Sequence, residues 1–404
     1  MRTTEFKRVL AAEVASNFGS MLSRLAIPWL AALALAATPL DMGYLLVANV
    51  LAGVVGSLLM GAVVDRSGKR AVMLVTDVAR AIVLGALAWL AALNALSFWM
   101  LVIASALSGL LTVTFELARS AWMAHRIDSA QLTSSNAQLS VGSSLSEAAA
   151  FALGGWLYQW LGAVLALIMD AASYLVSALC LRGVSELKPD AVGKNQRPNF
   201  SVCGLIGEAR AGVVALWAVP TLRVVASIEL FIALGQSIAG TSYMIYVSRD
   251  LGFSTGVLGM IFAMGGLGSV IGAMVAPRLG RRFGVGRAMW IGLTLFAIGE
   301  LCTPLASDVS VLAVILLVAS QVIGDGGHTI HDVHDRTLRQ TAVASDIVAR
   351  VDGGIRTIAQ AATLVGAIGG GALATYIGAR SALGVAAVLF AVAAVTAWAR
   401  LARR

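Results

Sequence analysis

The sequence predicts an all-α polytopic membrane protein, with twelve transmembrane helices arranged as two pseudo-symmetric six-helix bundles. Three observations carry this expectation: apolar runs of membrane-spanning length, basic residues confined to alternate loops, and an internal repeat that divides the chain. Of the 404 residues, 59% are hydrophobic and 12% charged, against about 25% charged in a typical soluble domain. A soluble core of this size cannot bury such a surplus. The mean hydropathy of +0.86 points to hydrocarbon as the main solvent.

Apolar runs and the residues that interrupt them give spans at 9–37, 42–64, 71–94, 97–120, 134–160, 163–183, 215–247, 255–278, 288–305, 309–336, 346–376 and 379–400. About 20 apolar residues cross the hydrocarbon core, and tilt or extension past the headgroups accommodates the longer runs. Loops sharing a side with the N-terminus hold Arg66, Lys69, Arg70, Arg126, Lys188, Lys194, Arg197, Arg281, Arg282, Arg287 and Arg339, and the C-terminus adds Arg403 and Arg404; the opposite loops hold only Arg249 and Arg380. This bias predicts that both termini are cytoplasmic, which requires an even number of spans, with a cell inner membrane as the expected location. Met1 to Arg8 is basic and runs into an apolar segment without a small-residue cleavage site, so it is expected to lead into the first helix. Topology thus accounts for the net charge of +8, and nucleic acid is not an expected partner.

The 42 glycines suit close helix packing in lipid; Gly268 with Gly272 and Gly366 with Gly370 are the expected contacts. Cys180, Cys203 and Cys302 are widely separated and fit neither a disulfide nor a metal spacing.

A polar interruption around 185–212, with Lys188-Pro189-Asp190 and Lys194 to Asn199, is read as a cytoplasmic linker between an N-terminal bundle, 1–184, and a C-terminal bundle, 213–404. The repeat supports that division. Gly154-Gly155-Trp156-Leu157-Tyr158-Gln159-Trp160-Leu161-Gly162-Ala163 recurs as Gly370-Gly371-Ala372-Leu373-Ala374-Thr375-Tyr376-Ile377-Gly378-Ala379, at the end of the fifth helix of each half. Asp65 to Arg70 recurs as Pro277 to Arg282 after the second helix. Duplicated halves are common in transporters.

The segment Gly61-Ala62-Val63-Val64-Asp65-Arg66-Ser67-Gly68-Lys69-Arg70 fits G-x-x-x-D-R-x-G-[RK]-[RK] at every fixed position. It resembles the cytoplasmic signature between helices 2 and 3 of the major facilitator superfamily. A carboxylate there can sit against the positive end of a neighbouring helix dipole, while the basic residues make ion pairs or hold the loop at the headgroups. The resemblance implies a gating loop of Gly61, Asp65, Arg66, Gly68, Lys69 and Arg70 that latches the two halves. The second-half loop has Pro277 in place of the acid. Asn17, Ala26-Ile27-Pro28-Trp29, Asp77-Val78-Ala79-Arg80-Ala81, Ala118-Arg119-Ser120-Ala121, Asp170-Ala171-Ala172-Ser173-Tyr174, Leu338-Arg339-Gln340 and Ala349-Arg350-Val351 are similar to the bacterial efflux branch that contains enterobactin-exporter-like and macrolide-efflux proteins.

Charged groups within spans cost roughly 2.5–3.5 kcal/mol each at a helix centre, so each needs a partner, a wetted cavity or a function. In helix 1, Glu13, Asn17, Ser20 and Arg24 recur on one helical face, as do Ser105, Gly109, Thr112, Glu116 and Arg119 in helix 4. Helix 7 carries Glu229, Gln236 and Tyr243; helix 10 carries Gln321, Asp325, His328, Asp332 and Asp335. In the resembled fold these four helices surround a central cavity. Helix 5 adds Ser140, Ser144 and Glu147, and helix 11 adds Arg356, Gln360 and Thr363. Burial in low dielectric favours the protonated carboxyl group, so one of Glu13, Glu116, Glu147, Glu229 and Asp325 is expected to exchange a proton, with Arg24 as its competitor or as a substrate contact. Glu300, Asp77 and Arg80, on helices 9 and 3, are expected to be paired or snorkelling.

His328 with Asp332 and His331 with Asp335 are i, i+4 pairs that suit a borderline divalent cation. Divalent-metal or metal-chelate export by these residues is therefore the alternative to export of a small amphipathic compound, such as a drug-like molecule or siderophore. No G-x-x-x-x-G-K-[ST] motif is present, so no nucleotide cofactor is expected and a proton gradient supplies the energy for alternating access. A membrane enzyme would have to draw its chemistry from His328 to Asp335. The expected partners are the small-molecule substrate, protons and the bilayer, and the expected state is a monomer.

Overall fold

The computed structural model describes residues 3–127, 129–186, 214, 216–217, 219–343 and 345–403. The linker expected at 185–212, with Lys188, Lys194, Arg197 and Cys203, lies outside them beyond Glu186. Among the described residues the chain is helical, with no strand.

The first half comprises α1 (Thr3–Trp29), extended by a π-helical turn at Leu30–Ala34, then α2 (Pro39–Arg66), α3 (Lys69–Ala92) and α4 (Phe98–Arg126). Ser129–Leu181 is a single helical run that reverses at Gly162 (φ 77°, ψ 174°), with α5 before that residue and α6 after it. At about 1.5 Å per residue the run is far longer than one crossing needs. The second half comprises α7 (Pro220–Ile245), extended by a π-helical turn at Tyr246–Asp250, α8 (Thr255–Phe283) and α9 (Val285–Leu305). It continues with α10 (Val311–Ala342), α11 (Ser345–Ile377) and α12 (Ala379–Ala397). Between α11 and α12 lies Gly378, at φ 85° and ψ 153°. Gly162 and Gly378 are the repeat partners in the sequence, and both occupy a backbone region essentially reserved for glycine.

Ten of the described stretches are long and apolar enough to cross a membrane. One of them, Val141–Leu181, contains both α5 and α6. The ten also omit α1, whose Glu5, Lys7, Arg8, Glu13 and Arg24 dilute its hydropathy. Several helices outrun their expected spans. α4 continues to Arg126 rather than 120, α10 reaches Ala342 rather than 336, and α1 begins at Thr3. The extensions of α1 and α10 are mostly polar helix, which hydropathy does not register because it reads only the part immersed in hydrocarbon, whereas that of α4 carries Trp122 and Met123 into the buried cluster before ending on His125 and Arg126. Conversely, α1 ends at Trp29, well before 37; its π-helical turn ends the helix, and Ala36 has φ 50°.

The chain divides into two compact units. The first is Met1–Ala36, Ala48–Phe200 and Ser254–Met260; the second is Ala37–Val47, Ser201–Phe253 and Ile261–Arg404. In the first, α1 packs on the Ser129–Leu181 run, and α3 packs on that run and on α4. Phe6, Val9, Met73, Phe115, Trp122 and Leu181 form a buried cluster. The second unit has α7 against α11 and α12, and α9 against α10 and α12, around Ile228, Ile232, Phe296, Ala386 and Phe390.

Helix α3 shows how the sequence selects its faces. Val75, Ile82 and Trp89, at steps of seven, are each about two-thirds exposed, whereas Met73, Asp77, Arg80, Leu84 and Leu87 are buried. The apolar stripe faces outward and the charges inward, as a bilayer solvent requires. The expected glycine contacts form within the second unit. A Cβ at Gly272 would run into the Gly326 carbonyl oxygen on α10, and one at Gly370 would lie 2.7 Å from Ile238 Cα on α7.

Candidate functional site

In the first unit the polar face of α1 meets three different helices. Glu13 forms a salt bridge with Arg119 of α4. Asn17 Nδ2 donates to the Ser143 carbonyl of α5 at 3.0 Å, and the Ser20 hydroxyl lies 2.8 Å from the Tyr174 hydroxyl of α6. Ser146 on α5 returns a bond to the Val14 carbonyl at 3.0 Å. Part of the stripe therefore joins helices, as polar side chains commonly do in lipid. Arg24 is exposed with Nη1 3.6 Å from Met21 Sδ, Glu116 is exposed and Glu147 is half-buried. The Ser140 side chain lies outside the described residues.

A second polar group is wholly internal to this unit. Arg80 Nη2 lies 2.9 Å from Asp77 Oδ1, and the Ser177 hydroxyl donates to Asp77 Oδ2 at 2.6 Å. The Arg80 guanidinium carbon is 4.8 Å from the Phe115 ring centroid and 4.5 Å from that of Tyr174, within cation–π range. Nearby, Asp170 is fully buried and accepts from Ser173 at 3.3 Å. Asp77 and Arg80 are thus paired; the role of Asp170 was not legible in the sequence.

The signature loop is built as a clip. Glu186 accepts from the backbone amides of Arg70 and Ala71, each at 3.1 Å, and so supplies the carboxylate at the start of α3, where Gly68 has no side chain to cap the helix. Arg70 donates to the carbonyls of Leu181 and Arg182 at 3.1 and 2.8 Å, at the end of α6. Lys69 is buried and donates to the Val64 carbonyl at 2.6 Å, at the end of α2. The basic residues of this loop therefore hold carbonyls at helix ends, where cations are favoured. Gly61 lies within the last two turns of α2, Gly68 stands at the start of α3, and Arg66 is exposed. The Asp65 side chain lies outside the described residues.

In the second unit, Glu229 of α7 and His331 of α10 approach with Oε1 3.5 Å from Nε2. His331 is fully buried, and its Nδ1 has no hydrogen-bond partner among the described residues. Gln236 Nε2 lies 3.2 Å from His328 Nε2, and His328 Nδ1 lies 3.7 Å from Asp332 Oδ2. Arg339 joins Asp335 at 2.6 Å and Asp352 of α11 at 3.0 Å. Arg356 is exposed and Gln360 half-buried on α11.

The metal set expected from the sequence, His328, His331, Asp332 and Asp335, is not gathered. Among the described residues no group of three or more His, Cys, Asp or Glu side chains is placed to hold a metal ion. Only His328 and Asp332 face each other; His331 turns to Glu229, Asp335 to Arg339, and His334 Nδ1 to the Ile330 carbonyl at 2.7 Å. The longer stripe is also divided. A π-helical turn at Ser320–Asp325 carries Gln321 and Asp325 and changes their phase relative to His328, so the i, i+4, i+7 count does not continue along one face.

Membrane-length helices in two units, with charged pairs buried in crossing segments, define a multi-pass membrane protein. The sequence profile of the Major Facilitator Superfamily matches residues 9–327 and 225–404, and the chain belongs to that family. It is a transport protein rather than an enzyme. The chain is 23% identical over 375 residues to the uncharacterised MFS-type transporter YfiS of Bacillus subtilis (strain 168), covering 92% of this chain and 87% of that one. Among solved structures, the nucleoside transporter NupG superposes with a TM-score of 0.78 at 14% identity, covering 99% of both chains. A bacterial homologue of the iron transporter ferroportin gives 0.71 at 15% identity, covering 98% of this chain and 99% of that one. These structural likenesses establish the fold.

Proposed function

We propose that this protein exports small amphipathic organic compounds in exchange for protons, by alternating access, and that Glu229 and His331 carry the proton. The pairing of Glu229 with His331 supports this reading most directly. It sets a carboxylate against the one side chain whose ordinary titration falls near neutrality, on two membrane-crossing helices. Within the first unit an open, almost wholly apolar groove of about 620 Å³ lies between α1, α5 and α6, lined by Val14, Phe18, Leu145 and Met169. Such a face can cover the hydrocarbon part of an amphipathic ligand. The salt bridge of Glu13 with Arg119 is the corresponding charged pair of the first unit. Metal export draws less support, because the donors are dispersed. We further propose that the protein acts as a monomer in the cell inner membrane, with both termini cytoplasmic.

The test is accumulation of a panel of amphipathic dyes in an efflux-deficient host and in everted vesicles. Wild type should lower accumulation in a protonophore-sensitive manner, and Glu229→Gln should reduce gradient-driven export at least tenfold while leaving the protein folded. Undiminished, protonophore-sensitive export by Glu229→Gln refutes the assigned proton site. Export of divalent cations but of no dye refutes the substrate class.

A further inference from the structure

We propose that the groove between the start of α7 and the end of α12 binds the phosphate of an anionic phospholipid. The groove has a volume of about 530 Å³ and is bounded by Arg223, Ser227 and Phe231 of α7 and by Thr396, Arg400 and Leu401 at the end of α12.

Two cations line it, and no acid does so among the described residues. Neither Arg223 nor Arg400 has a carboxylate partner among the described residues, and no Asp or Glu occurs from Ala379 to Arg404. Arg223 is oriented, since its Nε donates to the Trp217 carbonyl at 2.5 Å. That bond leaves its terminal amino groups to a ligand, and guanidinium groups suit phosphate oxygens in a two-point fork.

The remaining walls decide in favour of lipid over a free anion. Val224, Phe231 and Leu401 give the groove an apolar side, which phosphate alone would not use and which an acyl chain would cover. Aromatic residues mark the level. Trp217 is exposed at the entry to α7, and Trp398 is exposed at the end of α12 with the Arg403 guanidinium carbon 3.8 Å from its ring centroid. Tryptophan and arginine together characterise the headgroup zone of a bilayer.

The test is native mass spectrometry of the full-length protein in a mild detergent, titrated with phosphatidylglycerol or phosphatidylcholine. Phosphatidylglycerol should bind at a concentration at least tenfold lower. Each basic residue near an anionic headgroup contributes roughly a fivefold factor, so Arg223→Gln with Arg400→Gln should weaken phosphatidylglycerol binding about 10- to 30-fold, while the double lysine variant keeps most of it. The paired control, Arg281→Gln with Arg282→Gln, should not change binding. Equal affinity for the two lipids overturns the proposal, as does an equal loss in the control, which would mean diffuse surface attraction. Displacement of phosphatidylglycerol by millimolar inorganic phosphate would assign the groove to a free anion and overturn the lipid. Should the double glutamine variant fail to fold, each single variant should show about a fivefold loss, and an unchanged affinity in both overturns the proposal.

Discussion

Removing the charge of Asp77 takes from the Arg80 cation its directly bonded carboxylate and leaves it inside the first unit with two aromatic faces and the more distant, unbonded carboxylate of Asp170. The side chains of Arg80 and Asp77 are 4% and 0% exposed, so water cannot take over from the lost carboxylate. Breaking a buried pair from one side costs about 3–5 kcal/mol. For a cooperative unit of about 200 residues, each kcal/mol moves the unfolding midpoint by about 2–4 °C, so Asp77→Asn should melt about 6–20 °C below wild type. Arg80→Met should do the same, because it strands Asp77 with Ser177 alone. The double variant removes both charges and should be less damaged than the two singles summed, by at least about 1.5 kcal/mol. The assay is heating of the purified full-length protein with a thiol-reactive dye, since Cys180 and Cys302 are half-buried free thiols. Single variants melting within about 2 °C of wild type, or a double variant as damaged as the summed singles, would refute the claim that this pair compensates its own burial.

Two further predictions concern backbone geometry. Gly370→Ala, whose Cβ would lie 2.7 Å from Ile238 Cα, should cost about 1–3 kcal/mol through overpacking, whereas Gly369→Ala meets open space and should be neutral or gain up to about 1 kcal/mol of helix propensity. The same thiol assay reads both, and equal effects would contradict the contact of α7 with α11. Alanine at Gly162 or at Gly378 should each cost about 1–3 kcal/mol, with matching losses of protein retained after heating; a neutral result at either would contradict the positive φ there.

The parts of the fold that the sequence disclosed are those written in local composition. Apolar runs marked the crossings because hydropathy measures immersion directly, and the paired segments containing Gly162 and Gly378 carried the break between the fifth and sixth helices of each half. What stayed hidden depends on phase or on distant chain. The stripe from Gln321 to Asp335 assumed an uninterrupted α-helix, and the π-helical turn at Ser320–Asp325 shifts its register. Spacing puts Glu13, Asn17 and Ser20 on one stretch of α1, but spacing alone does not show that they reach α4, α5 and α6 in turn. The three clustered histidines suggested chelation because i, i+4 neighbours are close on any helix; Glu229 and Arg339 attract two of the proposed donors elsewhere. Asn49, which donates to the Ser105 carbonyl of α4 at 3.1 Å, carried no signal beyond being an amide in an apolar run.

The clip around Arg70 has a consequence for biosynthesis. The carboxylate that accepts the first amides of α3 lies 116 residues further along the chain, and the carbonyls that receive the Arg70 side chain lie 111 and 112 residues further. While the ribosome is still translating α4 and α5, these groups have only water and lipid headgroups to bind. The rim of the first unit therefore locks once Glu186 has emerged, which makes the last residues before the linker the closing step in assembly of the first half.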